Sequence, residues 1–234
     1  AVGGTTRLSG LEINAATANF DAAVAVDDEG LSITADEIDF KGGANSVSGN
    51  GNGMLLLQPQ TSSASIGVGG GAGTLDLSTT DVDSLADGFT QITIGRSADG
   101  TGDVDINASS FNDTLNVFGA AISVTGLDVT GNDVNLTART GSITDGEAGT
   151  ATDITAANLT LTANTTGQTV GTVSNPLELS LSGTVTASVN LGTGGVFLTE
   201  TNQMTISATG IDAGTGNVVL NAPSFIINGD ITGN

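Results

Sequence analysis

The chain has 234 residues, with 25 Asp and Glu against 4 Lys and Arg, a net charge of −21, and no His, Cys, Trp or Tyr. So few cations exclude a nucleic-acid surface, which needs basic groups to neutralise phosphates, and disfavour binding to anionic lipid. The missing Cys excludes disulfides, thiolate catalysis and thiolate metal sites, while 38% hydrophobic residues are too many for a disordered acidic tail.

From the N-terminus, LEINAATANF reads as two short strands: Leu11 and Ile13 face inward, four spacers follow, then Ala18 and Phe20 face inward. LSITADEIDF repeats the spacing 20 residues later with Leu31, Ile33, Ile38 and Phe40. The part 56–102 is less regular and Gly-rich (GVGGGAG, Gly67 to Gly73) and reads as an irregular coil or a protruding loop. LNVFGAAISV restores the spacing with Leu115, Val117, Ile122 and Val124, and LDVTGNDVNL continues it with Leu127, Val129, Val134 and Leu136. With Thr152 in the first slot, TDITAANLTL fits 25 residues further on through Ile154, Leu159 and Leu161. Asn50-Gly51, Asp99-Gly100, Thr140-Gly141 and Asn228-Gly229 mark turns, and no helical period is sustained.

A unit of 20 to 25 residues made of short strands and tight corners cannot bury its own apolar face, so it must stack on copies of itself. The expected fold is therefore all-β: a right-handed parallel β-helix, or solenoid, the hand following from the rule for parallel crossovers. Residues 1–234 are expected to form one β-helix segment of about ten coils, roughly 50 Å long at the spacing of paired strands. Starting AVGG and stopping within the repeating pattern, the chain reads as an excerpt of a longer rod. It contains no run long enough to span a membrane.

The chemical candidates are acidic. Asp27, Asp28, Glu29, Asp36, Glu37 and Asp39 form the richest cluster. Carboxylates from adjacent coils can converge for glycoside chemistry, but the helpers of sugar-active sites are missing, with Lys41 the single lysine. Asp36 and Glu37 fall in corner slots that hold Ala16 and Thr17, or Asn132 and Asp133, in other copies, so they are expected to be solvated. ADGTGDVDI (Ala98 to Ile106) resembles one unit of a Gly- and Asp-rich calcium-binding nonapeptide; Asp99, Asp103 and Asp105 would offer hard oxygen ligands to Ca²⁺. One copy does not make a stacked site. Arg96 is expected to pair with Asp99 or Asp103. The sequons at Asn107, Asn112, Asn135, Asn158 and Asn164 follow from a Thr- and Asn-rich composition. A Thr-x-Thr ladder, as an ice-binding face requires, occurs only in places such as Thr160 and Thr162 or Thr184 and Thr186. No catalytic residue, cofactor-binding residue or metal ligand is assigned, and calcium is the one cofactor left open.

Two stretches resemble very large bacterial exoproteins of the filamentous-haemagglutinin type: Leu55 to Ile106 and Val170 to Ile206. The features that carry the resemblance are LLLQP, DGFTQITIGRSADGTG, SNPLEL and GGVFLTE. The resemblance implies a right-handed parallel β-helix, export to the bacterial cell surface or medium, and a non-enzymatic role in attachment. Partners would then be a host or neighbouring cell surface, or its glycans, reached through the parent protein. Open strand edges at both ends also invite end-to-end self-association, which makes a self-assembling filament or surface-layer subunit the second reading. A polysaccharide-active β-helix enzyme is the third.

Overall fold

A computed structural model describes residues 1–190 and 193–233. Leu191 and Gly192, within the stretch Val170 to Ile206, and Asn234 lie outside the described residues. The chain divides into two compact units, Ala1–Gly119 and Ala120–Asn234. Each is a stack of β-coils whose strands pair in parallel with their counterparts on the next coil, the architecture of a β-solenoid.

In the first unit, strands Leu8–Asn14, Val24–Thr34, Met54–Gln58, Gln91–Ile94 and Leu115–Gly119 pair in that order. Their register stacks Leu11, Leu31, Leu55, Ile92 and Leu115 in one column and Ile13, Ile33, Leu57, Ile94 and Val117 in another. From Leu31 onward both columns are essentially dry. The strand period of two explains this: alternate side chains point into the coil while those between them face water. After the corner, Thr17–Phe20 pairs with Glu37–Phe40, and the rings of Phe20 and Phe40 stack at 5.2 Å.

The column steps by 20, 24, 37 and 23 residues. The 37-residue step holds the Gly-rich part. There Ile66–Val68 pairs in parallel with Leu75–Leu77, only nine residues on, and with Val104–Ile106 on its other side. Gly67 permits this return, because a Cβ there would lie 2.0 Å from the Gly71 carbonyl oxygen. The stretch is a packed irregular coil, since Ile66, Val68, Leu75 and Leu77 are all buried. It also contains a helix, Thr79–Asp83, which the absence of a helical period did not foretell. Five residues are too few to show a period; a capping box between Ser78 and Asp81 starts the turn instead.

In the second unit, Val134–Ala138, Leu159–Ala163, Val185–Val189, Gln203–Asp212 and Ser224–Ile227 pair in order, stacking Val134, Leu159, Val185, Ile206 and Ile227. A second sheet carries Leu127–Val129, Ile154–Ala156, Leu177–Leu181 and Gly195–Glu200. Gly195–Glu200 also pairs with Thr169–Val170, which in turn pairs with Ile143–Asp145.

One register differs from the sequence reading. Leu159 does stack on Val134, 25 residues apart, but Leu127 stacks on Ile154 and Val129 on Ala156, so Thr152 does not take the first slot. The corner before Leu159 has two residues, Ala157 and Asn158, where the corner before Val134 has four. A slip of two keeps the same face inward and buries Ala156 in place of the more polar Thr152.

Candidate metal centre

The acids between Asp27 and Asp39 do not form a site; most have separate partners. Asp27 lies 3.7 Å from the Arg7 guanidinium. Asp28 accepts hydrogen bonds from Asn50 and Asn52, which hold its carboxyl below the usual range. Asp36 accepts from the backbone N–H and hydroxyl of Thr61 on the next coil, with the same effect. Asp39 pairs with Lys41 at 3.3 Å. Glu37 faces outward beside Asp39, and partial burial and that neighbouring charge raise its pKa.

Nor do Asp99, Asp103 and Asp105 converge as calcium ligands. Asp99 takes two 2.7 Å hydrogen bonds from Arg96, as the sequence suggests, and Arg96 also donates to the Pro59 and Gln60 carbonyls. Asp105 accepts from the Ala72 backbone N–H. Among the sequons, Asn158 is a corner brace: it donates to Asp133 on one coil and accepts from Thr184 on the next.

Among the described residues, one group of three acids shares a site: Asp145, Asp153 and Glu178, whose nearest oxygens all lie within 4.8 Å of one another. The fold assembles it from three segments of the second unit. Asp145 ends the strand Ile143–Asp145, Asp153 immediately precedes Ile154–Ala156, and Glu178 lies in Leu177–Leu181 on the next coil. Parallel pairing locks Asp153 to Glu178. The Asp153 N–H donates to the Glu178 carbonyl, and the Glu178 N–H donates to Asp153 Oδ2, both at 2.8 Å.

Glu178 alternates with Leu177 and Leu179 and so points away from the core, yet it is only 5% exposed, and Asp153 only 1%. The segment DGEAGTATD, bracketed by Asp145 and Asp153, is tied down beside them. The Glu147 N–H donates to Asp145 Oδ1, and its carbonyl accepts from Asn175. Burial pushes the Asp153 carboxyl up to about 8, with Asp145 adding to the effect. Burial likewise raises Glu178, with Asp145 and Glu147 adding. Asp153 Oδ1 and Glu178 Oε2 have no hydrogen-bond partner. Two orphaned carboxylate oxygens facing a third carboxylate form a site suited to a cation or a shared proton.

No sequence signal singles out this triad, because Asp145 and Glu178 meet Asp153 only through the coil register. Other buried acids are already satisfied. Asp113 accepts from the Gly88 and Phe89 N–H groups, and Glu200 from those of Leu181 and Asn202. Elsewhere on the second unit, a shallow groove of about 420 Å³ is lined by Thr130, Thr155, Ser180, Asn202, Gln203 and Thr205, with no charged or aromatic side chain.

The architecture and this site define an acidic parallel β-solenoid with a carboxylate triad, two of whose members are buried. No protein-family model, curated protein or solved structure matches the chain.

Proposed function

We propose that the chain is a shaft segment of a secreted or cell-surface adhesin, a stiff, repetitive, non-enzymatic scaffold that serves attachment or surface structure. The observation that carries this reading is the division of labour along the paired strands Val134–Ala138, Leu159–Ala163 and Val185–Val189. Inward positions form continuous apolar columns, and outward positions present short polar side chains, such as Asn135, Thr160 and Thr186 in one row and Thr137, Thr162 and Ser188 in the next. Such rows, with the hydroxyl- and amide-lined groove, offer many weak hydrogen bonds to sugar hydroxyls. They offer no aromatic platform to hold a single sugar tightly. Attachment by such a surface is multivalent. Beads densely coated with the protein should therefore be retained on glycan- or cell-coated surfaces far better than sparsely coated ones. Equal failure at every density would overturn the attachment reading, and release of sugar fragments would replace it with an enzymatic one.

A second reading, self-assembly, is favoured by the last coil. Phe225, Ile226, Ile227 and Ile231 are 39–57% exposed, whereas Ile206 and Ile211, one coil earlier, are buried. A second copy of the chain can cover an apolar layer of this kind. Sedimentation velocity should show concentration-dependent association that Ile227→Lys abolishes. Monomers at all concentrations would end this reading.

A further inference from the structure

We propose that Asp145, Asp153 and Glu178 form a calcium site that clamps two successive coils of the second unit to the segment between Asp145 and Asp153. The donor set is three carboxylates, and the chain contains neither His nor Cys, so the site selects a hard cation. Two oxygens on opposite sides of a Ca²⁺ ion, bound at 2.3–2.6 Å, stand about 4.6 to 5.2 Å apart. Donors within 4.8 Å of one another therefore fit one coordination sphere. Mg²⁺ binds at about 2.0–2.1 Å and demands near-octahedral geometry, which three carboxylates held by three separate backbone segments match less well.

The orphaned atoms point to the ligand independently of the clustering. Asp153 already uses Oδ2 to hold the Glu178 backbone, which leaves Oδ1 buried and unpartnered; Glu178 Oε2 is in the same position. A cation between them satisfies both at once and offsets the repulsion of three neighbouring negative charges. Asp145, at the partly exposed edge of the site, supplies the third ligand and the side open to water, from which Ca²⁺ completes its six to eight oxygens. The bound ion would join three segments that otherwise meet as like charges.

The rival occupant is a proton shared between the carboxyls, and the test separates the two. The 234-residue protein is freed of metal with a chelator and melted with Ca²⁺, with Mg²⁺, and with neither, at constant ionic strength. Asp153→Asn, Glu178→Gln and the control Glu12→Gln, an exposed acid remote in sequence, are melted alongside. We expect calcium at about 1 mM to raise Tm by roughly 5 °C in the wild type and in Glu12→Gln. The shift should be absent in Asp153→Asn and Glu178→Gln, which should nevertheless fold because each amide keeps the shape and removes a buried charge. Calorimetric titration should give one Ca²⁺ per chain. An equal calcium shift in all four proteins would mean diffuse screening of the acidic surface and would overturn the site. No shift in any would assign the pair to a shared proton, and a larger shift with Mg²⁺ would overturn the choice of ion.

Discussion

Asp81 is buried, and its neighbours show what a carboxylate needs in order to stay there. Its side chain accepts from the Ser78 N–H and hydroxyl in the capping box, and its Oδ1 takes a 2.7 Å hydrogen bond from the Phe40 N–H, 41 residues away. Asp81→Ala removes the Asp81 half of the capping box and strands the buried Phe40 N–H, a combined cost of about 2 to 4 kcal/mol. Asp81→Asn keeps an acceptor and should cost less than half as much. Urea unfolding of the two variants checks this; equal losses would mean that the charge, and not the acceptor, matters. Ser78 and Asp81 stand three apart, but nothing in so short a turn announced a helix. The Asp145, Asp153 and Glu178 site was less legible still. In sequence these are three scattered acids among the chain's 25, and Glu178 occupies what reads as a solvated strand position. Only the coil register, which sets Asp153 against Glu178, brings the three together.

At the scale of the element, inward and outward faces of one strand should respond differently. In Met54–Gln58, Leu55 sits in the dry column between Leu31 and Ile92, while Leu56 faces out between Ser32 and Thr93. Leu55→Ala should cost about 2 to 5 kcal/mol, because the columns on either side cannot collapse into the cavity, and Leu56→Ala less than about 1 kcal/mol. Chemical denaturation reads both, and comparable losses would contradict the assigned faces. Alternation of this kind was visible from residue types alone, as were the stacks of Leu11 on Leu31 and Val134 on Leu159. What periodicity could not supply was the length of each connection. A corner of two residues and one of four leave the same residues inward, so Thr152 and Ile154 compete for one slot on equal terms. The 37-residue step is opaque for a related reason: its short strands pair nine residues apart through glycine turns that no fixed period describes.

Across the whole molecule the acids act in two opposing senses, and pH sorts them. Burial raises the carboxyls of Asp113, Glu178 and Glu200, and carries Asp153 to about 8, from ordinary values of 3.8 for Asp and 4.5 for Glu. The folded state therefore holds these protons more tightly than the unfolded chain, and stability falls as pH rises from the ordinary values through the raised ones. Asp28 and Asp36, held low by hydrogen bonds, have the reverse sign: their contribution is present above pH 3.8 and is lost as pH falls below it. Both lie at the surface, so their share is small. Self-repulsion at a net charge of −21 acts in the same direction as the buried acids, since it grows as the remaining carboxyls ionise. In chelator, Tm should therefore decline steadily from about pH 5 to about pH 8. Added salt should recover the repulsive part, because exposed charges are screened, and leave the buried part in place. Asp153→Asn should flatten the upper portion of the decline, and Glu200→Gln should lessen the decline overall. A Tm that holds level or rises across this range would mean that the buried carboxyls are ionised and compensated in the native state.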